Sequence, residues 1–198
     1  MTRVQTTSAL VLALSCGLAC AAPTKGPALT VLVYAAVGPD TMVSAEKASS
    51  RIMQRAGVRL IWRNCGQRDV CEVLPDENPL VLRIVQGSFG DRLACSFVTQ
   101  AGGSNAVVGF GNVQRLAASS GIPLPQVLAA VLAHEVGHLL LGPAHSRIGL
   151  MHSSWDTRDL SHLGQGQLKF DFDQSSRLQS ALRARSHPAP SLLANRTR

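Results

Sequence analysis

One apolar segment, PQVLAAVLAHEVGHLLLG, constrains the fold of this chain more than any other part of the sequence. Alanine and leucine, which are good helix formers, make up most of it. Pro125 suits the first turn of a helix, and Gly142 suits the position just after the last turn. Nearly every residue of the predicted helix other than His134, Glu135 and His138 is apolar. The sequence therefore predicts a helix that is buried in the core of the protein.

His134, Glu135 and His138 form a His-Glu-x-x-His motif that suits a zinc ion. Residues four apart on a helix face the same side, about 5–6 Å apart at Cβ, so His134 and His138 can direct their imidazoles at one ion. Glu135 lies beside them, where its carboxylate can take a proton from a coordinated water and pass it to a leaving amine. The alternative is a pair of surface histidines beside a coincidental glutamate. Burying these groups without a cation would cost free energy, and this favours the metal site.

A catalytic zinc ion needs a third protein ligand, and no glutamate follows Glu135 in the sequence. The downstream candidates are His145, His152, Asp156, Asp159 and His162. Gly142 favours His145, because a glycine in the left-handed conformation lets the chain turn back towards the metal. We therefore predict that His134, His138 and His145 bind Zn²⁺ and that Glu135 is the catalytic base and acid. An ordinary loop histidine is the alternative for His145.

The rest of the chain predicts an α+β fold. Patterns typical of strands cover residues 28–38, 58–65 and 79–87, a helical pattern covers 41–57, and two further strands flank the Gly102-Gly103 turn. A short helix precedes the buried one, and two helical segments follow it. We expect a mixed β-sheet packed on the buried helix, with a smaller helical C-terminal portion, in one domain over residues 23–185.

The first 22 residues predict a signal peptide. A short basic start is followed by an apolar run and by Ala19-Cys20-Ala21, which fits a signal-peptidase site. A lipoprotein acylated at Cys16 or Cys20 is the alternative, but neither cysteine has a leucine three positions earlier. We expect a secreted or periplasmic protein that is not stably inserted in a membrane, because no later segment is expected to be long and apolar enough to cross one. Residues 186–198 predict a disordered tail.

The remaining cysteines agree with export. Cys65 and Cys71 flank the short polar loop CGQRDVC, which a disulfide can close in an oxidising compartment. Cys95 lies in the apolar stretch LACSFV and is predicted to be buried as a small hydrophobic residue. A cysteine-rich zinc site is disfavoured because the sequence has no CxxC pair.

Charge and composition limit the classes of binding partner that we expect. The net charge of +7 comes mostly from scattered arginines, and aromatic residues make up only 4% of the chain, without a nucleic-acid-binding motif. We therefore expect no nucleic-acid partner. The substrate is predicted to be a peptide or protein that pairs with an edge strand around residues 106–109. The sequence does not predict an oligomeric state.

The region from Ala133 to Leu168 resembles the metzincin metalloproteases. Gly142 and His145 keep the metzincin spacing of three, although each is displaced by one residue. The GLM sequence that ends at Met151 resembles the Met-turn, and the likeness implies that this methionine forms a hydrophobic floor below the histidines. More narrowly, AHEVGHLLLG…AHSRIGLM…W is similar to a group of predicted bacterial exported zincins with an HEIGHLLLG…HS…GIM…W pattern. The resemblance implies a zincin-like α+β fold, and the paired cysteines also fit that group.

The chain departs from several metzincins in its oxyanion donor. Those enzymes use a tyrosine after the Met-turn, whereas the single tyrosine here is Tyr34, far upstream. His152, Ser153 or Ser154 could supply the donor, and a surface role is the alternative for all three.

Together these patterns predict an exported zinc metallopeptidase that cleaves peptide bonds with a water activated by Glu135. One alternative is a non-catalytic, zinc-stabilised binding module of the cell envelope. The other is a hydrolase of a non-peptide amide.

Overall fold

The structure, a computed structural model, describes residues 28–66, 71–75 and 77–186. The predicted signal peptide and the predicted tail beyond Ser186 lie outside these ranges. Strands and helices follow in the order β1 (Ala28–Ala35), α1 (Pro39–Arg55), β2 (Arg59–Asn64), β3 (Leu80–Val85), β4 (Ala94–Thr99), β5 (Gly102–Gly109), α2 (Phe110–Ser120), α3 (Leu124–Leu141), α4 (Thr157–Gly164) and α5 (Phe172–Ser186). This order of elements matches the sequence-based prediction. The predicted turn is displaced, because Gly102 and Gly103 begin β5 and the chain turns at Gln100 and Ala101.

The five strands form one mixed sheet in the order β2-β1-β3-β5-β4. The pairs β1–β2, β1–β3 and β3–β5 are parallel, and β4 pairs with β5 in the antiparallel direction. The prediction of an edge strand at residues 106–109 is wrong, because these residues lie in β5 between β3 and β4. The tight turn between β4 and β5 places β4 outside β5, so β4 is the edge strand on this side.

Helices α1 and α3 pack against each other beside the sheet, and α3 contacts β3, β4 and β5. The strand side chains that point towards these helices are buried, among them Val31, Leu82 and Val108. Alternate residues point away, and Phe97 of β4 is 63% exposed. Cys95 lies on the same face of β4 as Phe97 and is also exposed. The prediction that Cys95 is buried is therefore wrong. On an edge strand, an apolar-looking run can have one face in solvent.

Helix α3 runs through the centre of the protein. Thirteen of its residues are buried, from Val127 to Leu140, and they include Glu135 and His138. By length and hydropathy alone α3 could cross a membrane, so the expectation that no segment after the predicted signal peptide is long and apolar enough is wrong. However, 72% of this helix is buried inside the protein. The apolar residues on all its sides therefore pack against the sheet and the other helices, as the sequence predicted.

The chain after β2 is tied down by two links. A disulfide joins Cys65 and Cys71, as predicted. Arg63 and Glu77 form a bidentate ion pair with N–O distances of 2.8 and 3.1 Å. Both links begin at or just after β2, the edge strand opposite β4, so they support that edge of the sheet.

Candidate metal centre

Three imidazoles converge at the C-terminal half of α3. Nε2 of His138 lies 3.0 Å from Nε2 of His134 and 3.1 Å from Nε2 of His145. A zinc ion binds imidazole nitrogen at roughly 2.0–2.1 Å, so two nitrogens that share one ion can lie at most about 4 Å apart. The structure thus brings together the three histidines chosen from the sequence, in a geometry that one ion can bridge.

The hydrogen bonds of the outer ring nitrogens show why a cation fits here. Nδ1 of His134 lies 2.6 Å from the carbonyl oxygen of Leu150, and Nδ1 of His138 lies 2.9 Å from that of Gly142. Carbonyl oxygens only accept, so both Nδ1 atoms must carry the proton, and the neutral rings direct Nε2 lone pairs at each other. Those lone pairs repel unless a cation lies between them. The donor set therefore fits a zinc ion, and its outer hydrogen bonds are those that usually orient zinc-bound histidines.

The pKa values of the three histidines favour the neutral form. Burial lowers the pKa of His134 to about 4, against an opposing hydrogen bond to Leu150. Burial likewise lowers the pKa of His138 and of His145, and for His145 the charges of His138 and His152 act in the same direction. Neutral imidazoles offer the lone pairs that a metal ion needs.

Gly142 makes the turn that returns His145 to the helix. Its φ of 89° and ψ of −168° lie in a region that is almost confined to glycine, and not in the left-handed helical region expected from the sequence. Its N–H donates to the carbonyl of His138, which ends α3. A Cβ at this position would lie 3.1 Å from the carbonyl oxygens of Thr99 and Gln100. The glycine is thus required by backbone conformation and by close packing on the β4–β5 turn.

Glu135 lies beside the histidines and is nearly buried, with 5% of its surface exposed. Burial raises its pKa to about 7, although a hydrogen bond from Ser96 opposes the shift. Ser96 lies on β4, and its Oγ donates to Oε2 of Glu135 over 2.5 Å. A carboxyl group whose pKa lies near neutrality is suited to move a proton in either direction.

The segment after His145 packs against α3 through Leu150 and Met151. Met151 is 1% exposed, and its sulfur would lie 2.5 Å from a Cβ at Gly137, so this glycine of the motif leaves room for the methionine. The carbonyl of Leu150 accepts hydrogen bonds from Nδ1 of His134 and from Nε1 of Trp155, the latter over 3.1 Å. Met151 is therefore buried against α3 at Gly137, and its role as a floor below the histidines stays a prediction.

The histidines and Glu135 open into a cleft of about 1230 Å³. Strand β4 borders it through Ser96 and Val98, and α2 borders it through Leu116. His152 lies on another wall. Ser153, Ser154 and Trp155 follow it in the chain and line the same cleft.

The other candidate ligands are placed apart from the three histidines. His152, Asp156 and Asp159 form a separate polar group. Asp156 caps α4 by accepting the N–H of Asp159 over 2.9 Å. His162 lies on α4 and does not line the cleft.

Sequence reasoning did not identify Ser96 as a partner of Glu135. The alternation of β4 holds a signal for it, because Ser96 lies on the same half-buried face of the strand as Ala94 and Val98. Which inward residue meets Glu135 depends on the β4–β5 register, and the sequence alone does not fix that register.

Comparisons with known proteins support the fold. No family model matches the chain, and no curated protein matches it. Among solved structures, the crystal structure of archaemetzincin from Methanopyrus kandleri matches with a TM-score of 0.51 and 14% sequence identity. The alignment covers 82% of this chain and 99% of the archaemetzincin chain. The zincin-like α+β fold predicted from the sequence is therefore confirmed: this chain is similar in fold to archaemetzincin.

Proposed function

We propose that this protein is a zinc-dependent peptidase in which His134, His138 and His145 hold the metal ion. The observation that carries the proposal is the convergence of three Nε2 atoms, two of them on rings whose Nδ1 protons are committed to carbonyl oxygens. When bound, zinc lowers the pKa of a coordinated water and polarises a carbonyl group. The open cleft above the histidines leaves room for a substrate beside the site.

Glu135 handles the proton in this proposal. Its carboxylate accepts a proton from the attacking water and returns it to the leaving amine when the peptide bond breaks. Ser96 holds one carboxylate oxygen, which restricts the direction in which Glu135 points. A site that served only to stabilise the fold would have no use for this carboxylate, and this disfavours a non-catalytic zinc module.

Strand β4 is the proposed docking edge for an extended peptide. It pairs on one side with β5, and its other side has no strand in the described sheet. Ser96 of β4 touches Glu135, so a peptide added along this edge would pass beside the catalytic carboxylate. Edge-strand addition supplies main-chain hydrogen bonds that do not depend on the peptide sequence.

Export is part of the proposal. The sequence of residues 1–22 predicts a signal peptide. The disulfide between Cys65 and Cys71 agrees with an oxidising compartment, because such bonds rarely persist in a reducing cytosol.

The first experiment separates metal binding from catalysis. Glu135→Gln should keep the zinc content of the wild-type protein and abolish cleavage of labelled casein, because the amide cannot take up the proton. Chelation with 1,10-phenanthroline should stop the wild-type reaction, and added zinc should restore it. A Glu135→Gln variant with full activity would refute the assigned role.

The second experiment tests the third ligand. His145→Ala should lower zinc affinity strongly, whereas His162→Ala, outside the cleft, should leave it unchanged. Equal zinc affinity in the two variants would show that His145 is not a ligand. A protein that binds zinc but cleaves no protein or peptide would support the binding module.

A further inference from the structure

A second polar pair lies on the cleft wall, outside the three-histidine cluster. Nδ1 of His152 lies 2.5 Å from Oδ2 of Asp159. His152 directly follows the buried Met151, and it lines the same cleft as Glu135 and His145. The proposed mechanism uses neither member of this pair.

Asp159 is buried, and its hydrogen bonds favour the carboxylate form. It is 3% exposed, and its Oδ1 accepts the backbone N–H of Gly149 over 3.0 Å. Burial alone would raise the pKa of Asp159, but hydrogen bonds from His152 and from backbone N–H groups hold this pKa below its usual value. A carboxylate has no proton to donate, so the proton between the two side chains belongs to Nδ1 of His152.

This arrangement sets the direction of His152. With Nδ1 bound to Asp159, the remaining polar atom of the ring is Nε2. The side chain is 22% exposed, and the space beside it is the cleft. In the protonated ring Nε2 is a second donor, and the adjacent carboxylate compensates its charge.

The proposed mechanism has no hydrogen-bond donor for the substrate carbonyl oxygen, and a protonated histidine could supply one. When an amide is attacked, negative charge develops on its carbonyl oxygen, and a preorganised donor at that oxygen accelerates the reaction. Glu135 is a carboxylate committed to the proton of water. Tyr34 stacks on Arg83, whose guanidinium carbon lies 4.4 Å from its ring centroid, on strands β1 and β3, and it does not line the cleft.

We propose that His152, protonated on both ring nitrogens and held by Asp159, donates a hydrogen bond from Nε2 to the substrate carbonyl oxygen as it becomes negative. His152 is then a catalytic residue and Asp159 a positioning residue. No proton leaves His152 in this step, and proton transfer stays with Glu135. The inference rests on the proposed peptidase function.

The other explanation of the pair is structural: the contact would only tie the turn at Gly149 to α4. The two explanations differ in what the variants change. A structural tie would affect stability and zinc binding together. A donor to the carbonyl oxygen affects the rate and the binding of charged tetrahedral analogues, while zinc content and thermal stability change little.

The test compares His152→Ala, His152→Gln, Asp159→Asn and the double variant His152→Ala/Asp159→Asn, with His162→Ala as the matched control. Zinc content and thermal midpoint are measured first. Steady-state rates follow on a fluorogenic peptide built on a casein site that the wild-type protein cleaves. The affinity for a phosphinic analogue of that peptide, whose anionic oxygens mimic the attacked carbonyl, is measured in parallel.

We expect His152→Ala to lower kcat by about 10²–10³-fold with little change in KM, because a donor used mainly in the transition state is lost. Binding of the phosphinic peptide should weaken by a similar factor. Asp159→Asn should lower kcat in the wild-type background but add little to His152→Ala, because it acts through that ring. His162→Ala should behave as wild type.

Three results would overturn the inference. Unchanged kcat and phosphinic-peptide affinity in both folded, zinc-loaded His152 variants would refute the role of His152 and leave the proposed peptidase function standing. Fully multiplicative losses in the double variant would refute the positioning role of Asp159. A zinc-loaded wild-type protein that cleaves no peptide in a casein digest would refute the proposed function, and the assignment of His152 would fail with it.

Discussion

Replacing Gly142 by alanine should destabilise the fold. The backbone at this position, with φ of 89° and ψ of −168°, costs a non-glycine residue on the order of 1–3 kcal/mol. The new Cβ would also lie 3.1 Å from two backbone oxygens, those of Thr99 and Gln100, which belong to a hairpin and cannot both move freely. Adding roughly 1 kcal/mol for this overpacking gives about 3 kcal/mol in total. For a domain of this size that corresponds to a fall in Tm of about 6–12 °C.

The same substitution should weaken zinc binding. The carbonyl of Gly142 accepts the hydrogen bond from Nδ1 of His138, and His145 follows three residues later. A shift of this turn therefore disturbs the orientation of one proposed ligand and the position of another. Loss of such an orienting contact typically costs about 10–100-fold in metal affinity.

Gly121→Ala provides the matched control. Gly121 also has a positive φ of 69° and follows a helix, but nothing lies within 4 Å of a Cβ placed there. We expect it to cost about 1–2 kcal/mol, from backbone strain alone, and to leave zinc affinity unchanged. Thermal unfolding of the metal-free proteins and zinc titrations measure both effects. If the two variants lose equal stability and bind zinc equally, the argument from the Gly142 turn is wrong.

Three further predictions concern the rest of the fold and the site. Glu46 has a buried carboxylate oxygen without a hydrogen-bond partner among the described residues, and burial raises its pKa. Wild-type stability should therefore fall as pH rises from the pKa of the unfolded carboxyl through that of the folded one. Glu46→Gln should remove this fall and gain about 1 kcal/mol at neutral pH in denaturant unfolding. Replacing Cys65 and Cys71 by serine opens a link between residues six apart and should cost roughly 2 kcal/mol; reductant should match that loss in wild type and have no effect on the variant. Ser96→Ala removes the hydrogen bond to Glu135 and should slow peptide cleavage roughly tenfold at unchanged zinc content, whereas Ser96→Thr should retain most activity. Equal rates for the two Ser96 variants would contradict the role of the hydroxyl.

The sequence predicted the parts of this molecule that depend on local patterns. Helix α3 was found from its composition and its end signals, because alanine and leucine favour helices wherever they lie in the fold. The grouping of His134, His138 and His145 follows from a helical spacing and one glycine turn, so no long-range information was needed. The pairing of Cys65 with Cys71 is equally local. The roles assigned to these histidines stay predictions.

Features that depend on the assembled sheet were not predictable in this way. The strand at residues 106–109 has the pattern of any half-buried strand, and its interior position results from the hairpin that places β4 outside it. Cys95 was predicted to be buried for the same reason, since its exposure depends on which face of β4 the helices cover. The contact of Ser96 with Glu135 joins two residues that are 39 positions apart in the chain, and it depends on strand register.

The three converging imidazoles come from one continuous stretch, His134 to His145. An unfolded chain keeps these side chains close together along the backbone, so it too can chelate a divalent ion, only less well. A ligand stabilises a native protein to the extent that it binds the native state more tightly than the unfolded state. Zinc that binds the unfolded chain therefore reduces the increase in the free energy of unfolding. Zinc would therefore protect this protein against heat or urea less than its native affinity implies, and less than an equally tight site assembled from distant segments.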